Sequence, residues 1–305
     1  MEKIDLVVDI DEPMRLDAYL AEELEWASRS TVQKWIKNGC ILLRGTAFTK
    51  PGKKVYSGEH LIVFPPEPEV SEIIAENIPL DIVYEDPYLV VVNKQPGLVV
   101  HPGAGHPRGT MANALLYHFK ELSVIDSQRP GIVHRLDKET SGLIIAAKDN
   151  RTHWKLSEML ADRKIKRLYW GLVIGSFDDA KGRIESFMGR DPHNRIKMAV
   201  LSQGKHAVTT WETLEIFNGF SLVAFRLFTG RTHQIRVHAS YMRHPILGDS
   251  LYGGLSGKRF GEKAARQMLH SRELEFIHPI TGKFLRFTGP LHSDMEEILE
   301  SLRSS

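Results

Sequence analysis

A single cysteine, Cys40, in a chain of 305 residues excludes an intramolecular disulfide framework and any cysteine-clustered zinc site. Such a chain suits a reducing compartment. Nor does any apolar run approach the roughly 20 residues of a membrane span, and the opening M-E-K-I-D-L-V-V-D-I-D-E is acidic and lacks the apolar stretch of a signal peptide. The expectation is a soluble cytoplasmic protein without a membrane partner. Internal repeats and low-complexity tracts are also missing. Net charge is nearly absent, 40 Lys and Arg against 38 Asp and Glu, so bulk electrostatics supplies no case for a polyanionic partner. With 42% hydrophobic residues, the length predicts more than one globular unit, each with its own core.

Two local absences are more informative. From Ser28 to Gly58 there are seven Lys or Arg and no acid, and from Glu67 to Asp86 seven acids and no base. The switch falls at F-P-P-E-P-E, where three prolines in four residues impose an extended connector. This predicts an N-terminal domain over 13–64, a Pro-rich acidic linker over 65–80 and a second domain over 81–305. In the first, Pro13 suits a first helical position and Leu16, Tyr19, Leu20 and Leu24 share one face. Ser28 is a candidate cap for a second helix, in which Val32, Trp35 and Ile36 turn inward and Gly39 ends the run. Arg29, Gln33 and Lys37 recur every four residues on another face, a basic stripe. A solvated surface would explain the stripe equally well, but the missing acids favour an anionic partner.

The second domain alternates short β-like runs (89–92, 142–147, 169–174, 220–227) with fewer helical ones (111–120, 150–163), which predicts an α+β fold with a large mixed sheet. Within it stands G-I-V-H-R-L-D-K-E-T-S-G-L-I-I-A-A-K, where Asp137 lies between Arg135 and Lys138 and just ahead of a buried-strand pattern. An arbitrary Asp there would cap a turn. Here a rigid strand would hold it, and G-R-T-H-Q-I-R-V-H alternates as a second strand, with Arg231, His233, Ile235 and Val237 on one face. An arginine so placed would hold the carboxylate in one orientation as an ionised nucleophile.

Two resemblances follow from these residues. R-L-D-A-Y-L, S-R-S-T-V-Q-K-W-I-K-N-G-C-I and G-E-H-L-I-V-F resemble, in order, the alpha-L RNA-binding module of ribosomal small-subunit protein four, with Leu43-Arg44-Gly45 where Val-Asn-Gly is common. H-R-L-D with S-G-L, then T-G-R-T-H-Q-I-R-V-H with H-P-I-L-G-D-S-L-Y-G-G, resemble the RluA family of RNA pseudouridine synthases. V-V-N-K-Q-P-G-L-V-V-H-P-G-A-G and R-Q-M-L-H-S-R-E-L-E-F-I-H-P-I-T-G look like its first and last blocks. The resemblance covers essentially the whole chain and is nearest the RluD-like branch, which carries the alpha-L module.

The family resemblance implies a pseudouridine synthase fold with a mostly antiparallel sheet, and catalytic roles for Asp137, for Tyr169 in K-R-L-Y-W-G-L-V, and for Arg231 as the partner of the aspartate. It implies RNA contacts from Arg135, which would fill the gap left by an extruded base, and from His134. The alpha-L resemblance adds Arg29, Lys34, Lys37, Arg44, Lys53 and Lys54. The implied reaction is isomerisation of uridine to pseudouridine in structured RNA, with large-subunit ribosomal RNA in a pre-ribosomal particle as the expected partner. It needs no cofactor, no metal and no obligate protein partner.

Transfer RNA as substrate, and a non-catalytic RNA-binding assembly factor, are the alternatives. A glycoside hydrolase would need a second carboxylate beside Asp137. A metallohydrolase is disfavoured because His233 and His238 would face opposite sides of the predicted strand, and His101, His106 and His134 lack a ligand spacing.

Overall fold

The structure, a computed structural model, describes residues 3–24, 27, 29–65, 73–103, 105–126, 129–194, 196–253 and 264–305. Ser28 and residues 66–72, the centre of the expected linker, lie outside the described residues. The chain divides into two compact units, Met1–Ser71 and Glu72–Ser305.

The smaller unit runs β1 (Ile4–Val7), β2 (Met14–Arg15), α1 (Leu16–Glu23), α2 (Arg29–Lys37), β3 (Ile41–Leu43), β4 (Thr46–Ala47), β5 (Lys54–Val55) and β6 (His60–Val63). Its main sheet has the order β1-β6-β3-β4, and β2 pairs with β5. The predicted apolar faces, Leu16, Tyr19, Leu20 and Leu24 of the α1 region and Val32, Trp35 and Ile36 of α2, close one core with Ile41, Leu61 and Val63. Gly39 ends α2 with a φ of 73°, a conformation that costs a residue without Cβ nothing.

Three details depart from the sequence reading. The unit includes β1, ahead of residue 13, because Ile4–Val7 pairs with β6. Pro13 is not helical: Met14 and Arg15 pair with Val55 and Lys54 before α1 begins. Residues 73–80 are no free linker. Asn113 Nδ2 donates to the Ile74 carbonyl at 2.8 Å and His118 Nε2 to that of Ile78 at 2.8 Å. Ile78 and Leu80 also pack on the larger unit's core.

That unit contains β7 (Ile82–Glu85), β8 (Leu89–Lys94), α3 (Met111–His118), β9 (Ser141–Ala147), α4 (Asn150–Ala161), β10 (Lys166–Ile174), β11 (Lys181–Arg190), β12 (Met198–Leu201), β13 (Lys205–Phe217), β14 (Phe220–Leu227), α5 (Gln234–Tyr241), β15 (Leu269–Ile277), β16 (Phe284–Thr288) and α6 (Ser293–Arg303). Ten strands form one sheet in the order β12-β11-β13-β14-β10-β15-β9-β8-β7, with β16 beside β15. Among the described residues all its pairings are antiparallel except β15 with β9. The α+β class with a large mixed, mostly antiparallel sheet is therefore the observed one.

Strand β9 is buried at every position, as its unbroken S-G-L-I-I-A-A suggests for a strand covered on both faces. Ile144 and Ala146 enter one core, and Leu143, Ile145 and Ala147 another. At its start Gly142 has a φ of 106°, and the Ser271 backbone lies so close that no Cβ would fit. The two strands thus meet backbone to backbone at the sheet's centre, five residues after Asp137.

Candidate active site

The loop that carries Asp137 is held from several sides. His134 Nε2 accepts the Ile145 N–H of β9 at 3.0 Å, and burial pushes the imidazole down to about 3, so it is neutral. His134 therefore braces the loop and is not among the residues lining the cleft over Asp137, contrary to the RNA contact expected of it. On the other side Lys94 Nζ, almost fully buried, donates to the carbonyls of Gln95 at 2.9 Å and of Leu98 and Lys138 at 3.0 Å. Arg266 Nη1 donates to the Glu139 carbonyl at 3.0 Å, while its Nε and Nη2 grip Asp294 of α6 at 2.6 and 2.7 Å. Lys94 and Arg266 thus fix the backbone just beyond Asp137.

The Asp137 carboxylate is 18% exposed. Among the described residues its side-chain hydrogen bond comes from Arg236, Nη1 to Oδ2 at 3.0 Å, and not from the amides of the following turn. A turn-capping role is therefore not what the side chain performs. Arg236 is itself clamped by Asp249, with Nε to Oδ2 at 2.6 Å and Nη2 to Oδ1 at 2.9 Å. Burial opposes the guanidinium charge, but the hydrogen bonds it donates to Asp249 and the charges of both aspartates outweigh it and raise its pKa. Asp249, 1% exposed, also accepts the backbone N–H groups of Leu251 and Tyr252 at 3.1 Å. The Asp137–Arg236–Asp249 array leaves each charge paired, as burial demands.

This corrects the pairing expected of Arg231. Its Nε donates to the His206 carbonyl at 2.9 Å instead, though the side chain still lines the same cleft. The cause is the element: residues 231–233 form a turn and Gln234–Tyr241 is a helix, not a strand. Gln234 stitches the turn to β13, accepting from Arg231 N at 3.0 Å and donating to the Val208 carbonyl at 3.0 Å. His233, with a φ of 57°, directs the chain into α5. A helix puts Arg236 on the side facing Asp137, where the expected strand would have turned it away from Arg231's face.

Tyr169, 5% exposed, comes from β10, whose register against β15 shifts between Leu168 and Tyr169. Such a bulge re-aims the following side chain. Burial pushes the phenol's pKa up, so it stays protonated. The cleft over Asp137 is lined by Arg135, Tyr169, Arg231, His233 and Arg236, with Leu227, Ile235 and Leu269 as its apolar walls. It offers a slot with apolar walls beside a carboxylate, with three arginines in its lining.

A model of the RNA pseudouridylate synthase family matches residues 88–241, and an S4 domain model matches residues 14–61. The chain belongs to the RNA pseudouridine synthase family. A Bacillus subtilis relative, the uncharacterized RNA pseudouridine synthase YlyB, is 42% identical over 100% of both chains. Ribosomal large subunit pseudouridine synthase D of Escherichia coli K12 is 40% identical over 95% of this chain and 91% of its own. The solved structure of human RNA pseudouridylate synthase domain containing 1 aligns with a TM-score of 0.57 and 25% identity, covering 76% of this chain and 97% of that one. The protein is thus an RNA pseudouridine synthase, with RNA as its partner and an S4 domain ahead of the catalytic one.

In this synthase the expected RNA-binding side chains of the S4 domain, Arg29, Lys34, Lys37, Arg44, Lys53 and Lys54, are all exposed. Some also serve the domain itself. Arg29 Nε lies 3.1 Å from Asp17 Oδ2, Arg44 Nη2 2.9 Å from Glu59 Oε1, and Lys53 Nζ 4.2 Å above the Phe48 ring. Arg44 adopts a φ of 52° beside Gly45 at 79°, the paired positive values of a tight hairpin, where asparagine would sit more easily. The site residues that sequence patterns do not assign are Arg236 and Asp249. Both stand in the blocks that carry the family resemblance, but the signal for them, a Gly-Asp turn with a buried acid facing a helix arginine, exists only in three dimensions. Among the described residues, no helix is long and apolar enough to cross a membrane.

Proposed function

We propose that the synthase converts uridine to pseudouridine in large-subunit ribosomal RNA, with Asp137 as the reacting carboxylate. The observation that carries the proposal is the Asp137–Arg236 ion pair at the mouth of an apolar slot. Breaking the N1–C1′ bond develops positive charge on the sugar. Asp137 meets it with Oδ1, the oxygen that Arg236 leaves free. The uracil, which keeps the electron pair of the broken bond, turns within the slot and C5 bonds to C1′; C5 then gives up its proton and N1 takes one up, so that no proton is gained or lost overall. Tyr169 supplies a stacking face for the base, and its protonated phenol is a donor near it. The target uridine must leave its stack, which costs a few kcal/mol, and exposed Arg135 at the cleft is placed to fill the space it vacates.

The ribosomal target rests on the names of relatives such as the Escherichia coli enzyme. A cytoplasmic location follows from that target. The S4 domain, by this reading, holds the RNA through phosphate contacts and leaves the chemistry to the second domain.

Asp137→Asn tests the centre of the proposal, because it keeps shape and hydrogen bonding but removes the charge. The Asn protein should fold and bind RNA yet release no tritium from C5-labelled uridine in ribosomal RNA. Conversion near the wild-type rate would remove Asp137 from the reaction. Pseudouridine mapping of total RNA from cells with and without the gene tests the target: a lost site in transfer RNA alone would overturn the ribosomal assignment.

A further inference from the structure

The second oxygen of Asp137 faces an imidazole. His233 Nε2 lies 3.9 Å from Asp137 Oδ1, and the opposite ring nitrogen, Nδ1, lies 2.8 Å from the Tyr252 hydroxyl oxygen. That same hydroxyl accepts the backbone N–H of Met198 at 2.8 Å. Two tautomers of a neutral His233 can be compared. With the proton on Nδ1, the imidazole would donate to a phenol oxygen already accepting from Met198, and an Nε2 lone pair would confront the carboxylate. With the proton on Nε2, the Tyr252 hydroxyl donates to Nδ1 and an N–H faces the negative charge. The hydroxyl and the carboxylate both select the second form.

The ring is held as well as oriented. His233 keeps a left-handed backbone, φ 57°, which a residue with a Cβ adopts only where its surroundings enforce it. Tyr252 stands 9% exposed, and its ring lies 5.0 Å from the Arg236 guanidinium carbon, so one side chain touches both partners of the carboxylate.

We propose that Tyr252 is a positioning residue: it fixes His233 as an Nε2–H donor aimed at the oxygen of Asp137 that Arg236 does not hold. The inference rests on the reading of Asp137 as the reacting carboxylate. At 3.9 Å the N–H is beyond hydrogen-bond length in the free enzyme. It therefore contributes little to the resting state and acts when the carboxylate shifts toward the sugar during the reaction. An interaction of that kind changes turnover and leaves RNA affinity alone.

Burial lowers the pKa of His233, opposed by Asp137 and Asp249 and aided by Arg236 and Arg135; with Tyr252 these are, among the described residues, the charged and titratable groups that face it.

Tyr252→Phe keeps the ring over Arg236 and deletes only the hydroxyl. Nitrogen-15 NMR of the imidazoles, with His233 assigned by the signal missing in His233→Gln, should show the Nε2–H tautomer in the wild type and a mixture in the Phe variant. Single-turnover conversion should fall about tenfold with RNA affinity unchanged, since the donor is loosened rather than lost. His233→Gln, which returns an amide N–H near the Nε2 position, should retain more turnover than His233→Ala. An Nδ1–H tautomer in an active wild type would overturn this inference alone. So would a Phe variant whose tautomer and single-turnover rate match the wild type, even if it melts earlier, because only packing would then be at stake. The NMR needs no RNA, so a wild type with the Nε2–H tautomer but no isomerase activity would instead sink the functional reading.

Discussion

Arg236 and Arg231 both line the cleft, and their bonds separate their roles. Arg236 uses one edge of its guanidinium on Asp249 and Nη1 on Asp137, whereas Arg231 spends Nε on a backbone carbonyl. Lysine has a point charge without that planar fork. Arg236→Lys should lower single-turnover conversion by about two orders of magnitude, because neither the clamp nor the aim survives. Arg231→Lys should lose far less, and equal losses would mean that positive charge in the cleft, not orientation, is what Asp137 needs. Asp137 is legible in the sequence because it precedes the buried-strand pattern of β9, and Tyr169 only through the family resemblance. The arginine is not. R-T-H-Q-I-R-V-H alternates polar and apolar residues well enough to pass for a strand, and α5, buried from Gln234 through Ala239, has no polar face to betray its helical period.

The elements of the S4 domain show the same division between what periodicity reveals and what contacts decide. The inward faces of α1 and α2 are readable at a spacing of three and four. The basic stripe of α2 is readable too, but not that Arg29 and Gln33 on it both reach Asp17, a fully buried residue that also binds Arg15. The Arg15 hydrogen bond, with Arg29 and Gln33 behind it and burial opposing, holds the Asp17 carboxyl well below the usual carboxylate range. A depressed folded-state pKa stabilises the fold above the unfolded value of about 3.9, and that stability is lost as the pH falls below it. Residues 1–71, which carry their own core, should therefore melt at progressively lower temperature from about pH 4 downward. Asp17→Asn should melt lower than wild type at pH 7 and show a flatter acid dependence. Parallel pH curves for the two, followed by circular dichroism, would show that Asp17 does not link the helices to the fold.

At the scale of the whole molecule the segregation of charge along the chain marks two units, and their boundary, between Ser71 and Glu72, falls a few residues past the proline cluster. Acidic composition hides only the segment 73–80, whose Ile78 and Leu80 are anchored on the larger unit. The same segregation assigns the work. The cations of the S4 domain are exposed, while Asp137, Tyr169 and Arg236 all belong to the second unit. Deleting residues 1–71 should then weaken binding to ribosomal RNA and make it less sensitive to salt. Each lost phosphate contact reduces the slope of log affinity against log salt by roughly 0.7 to 0.9. Chemistry on a short uridine-bearing loop at saturating concentration should stay within about tenfold of the intact enzyme, because no group that meets the base has been removed. Both quantities come from one pair of experiments, filter binding across salt and single-turnover conversion. A truncated protein with an unchanged salt slope would show that the S4 cations do not meet phosphates. One that folds and binds the short loop yet never converts it would place part of the chemistry in the first domain.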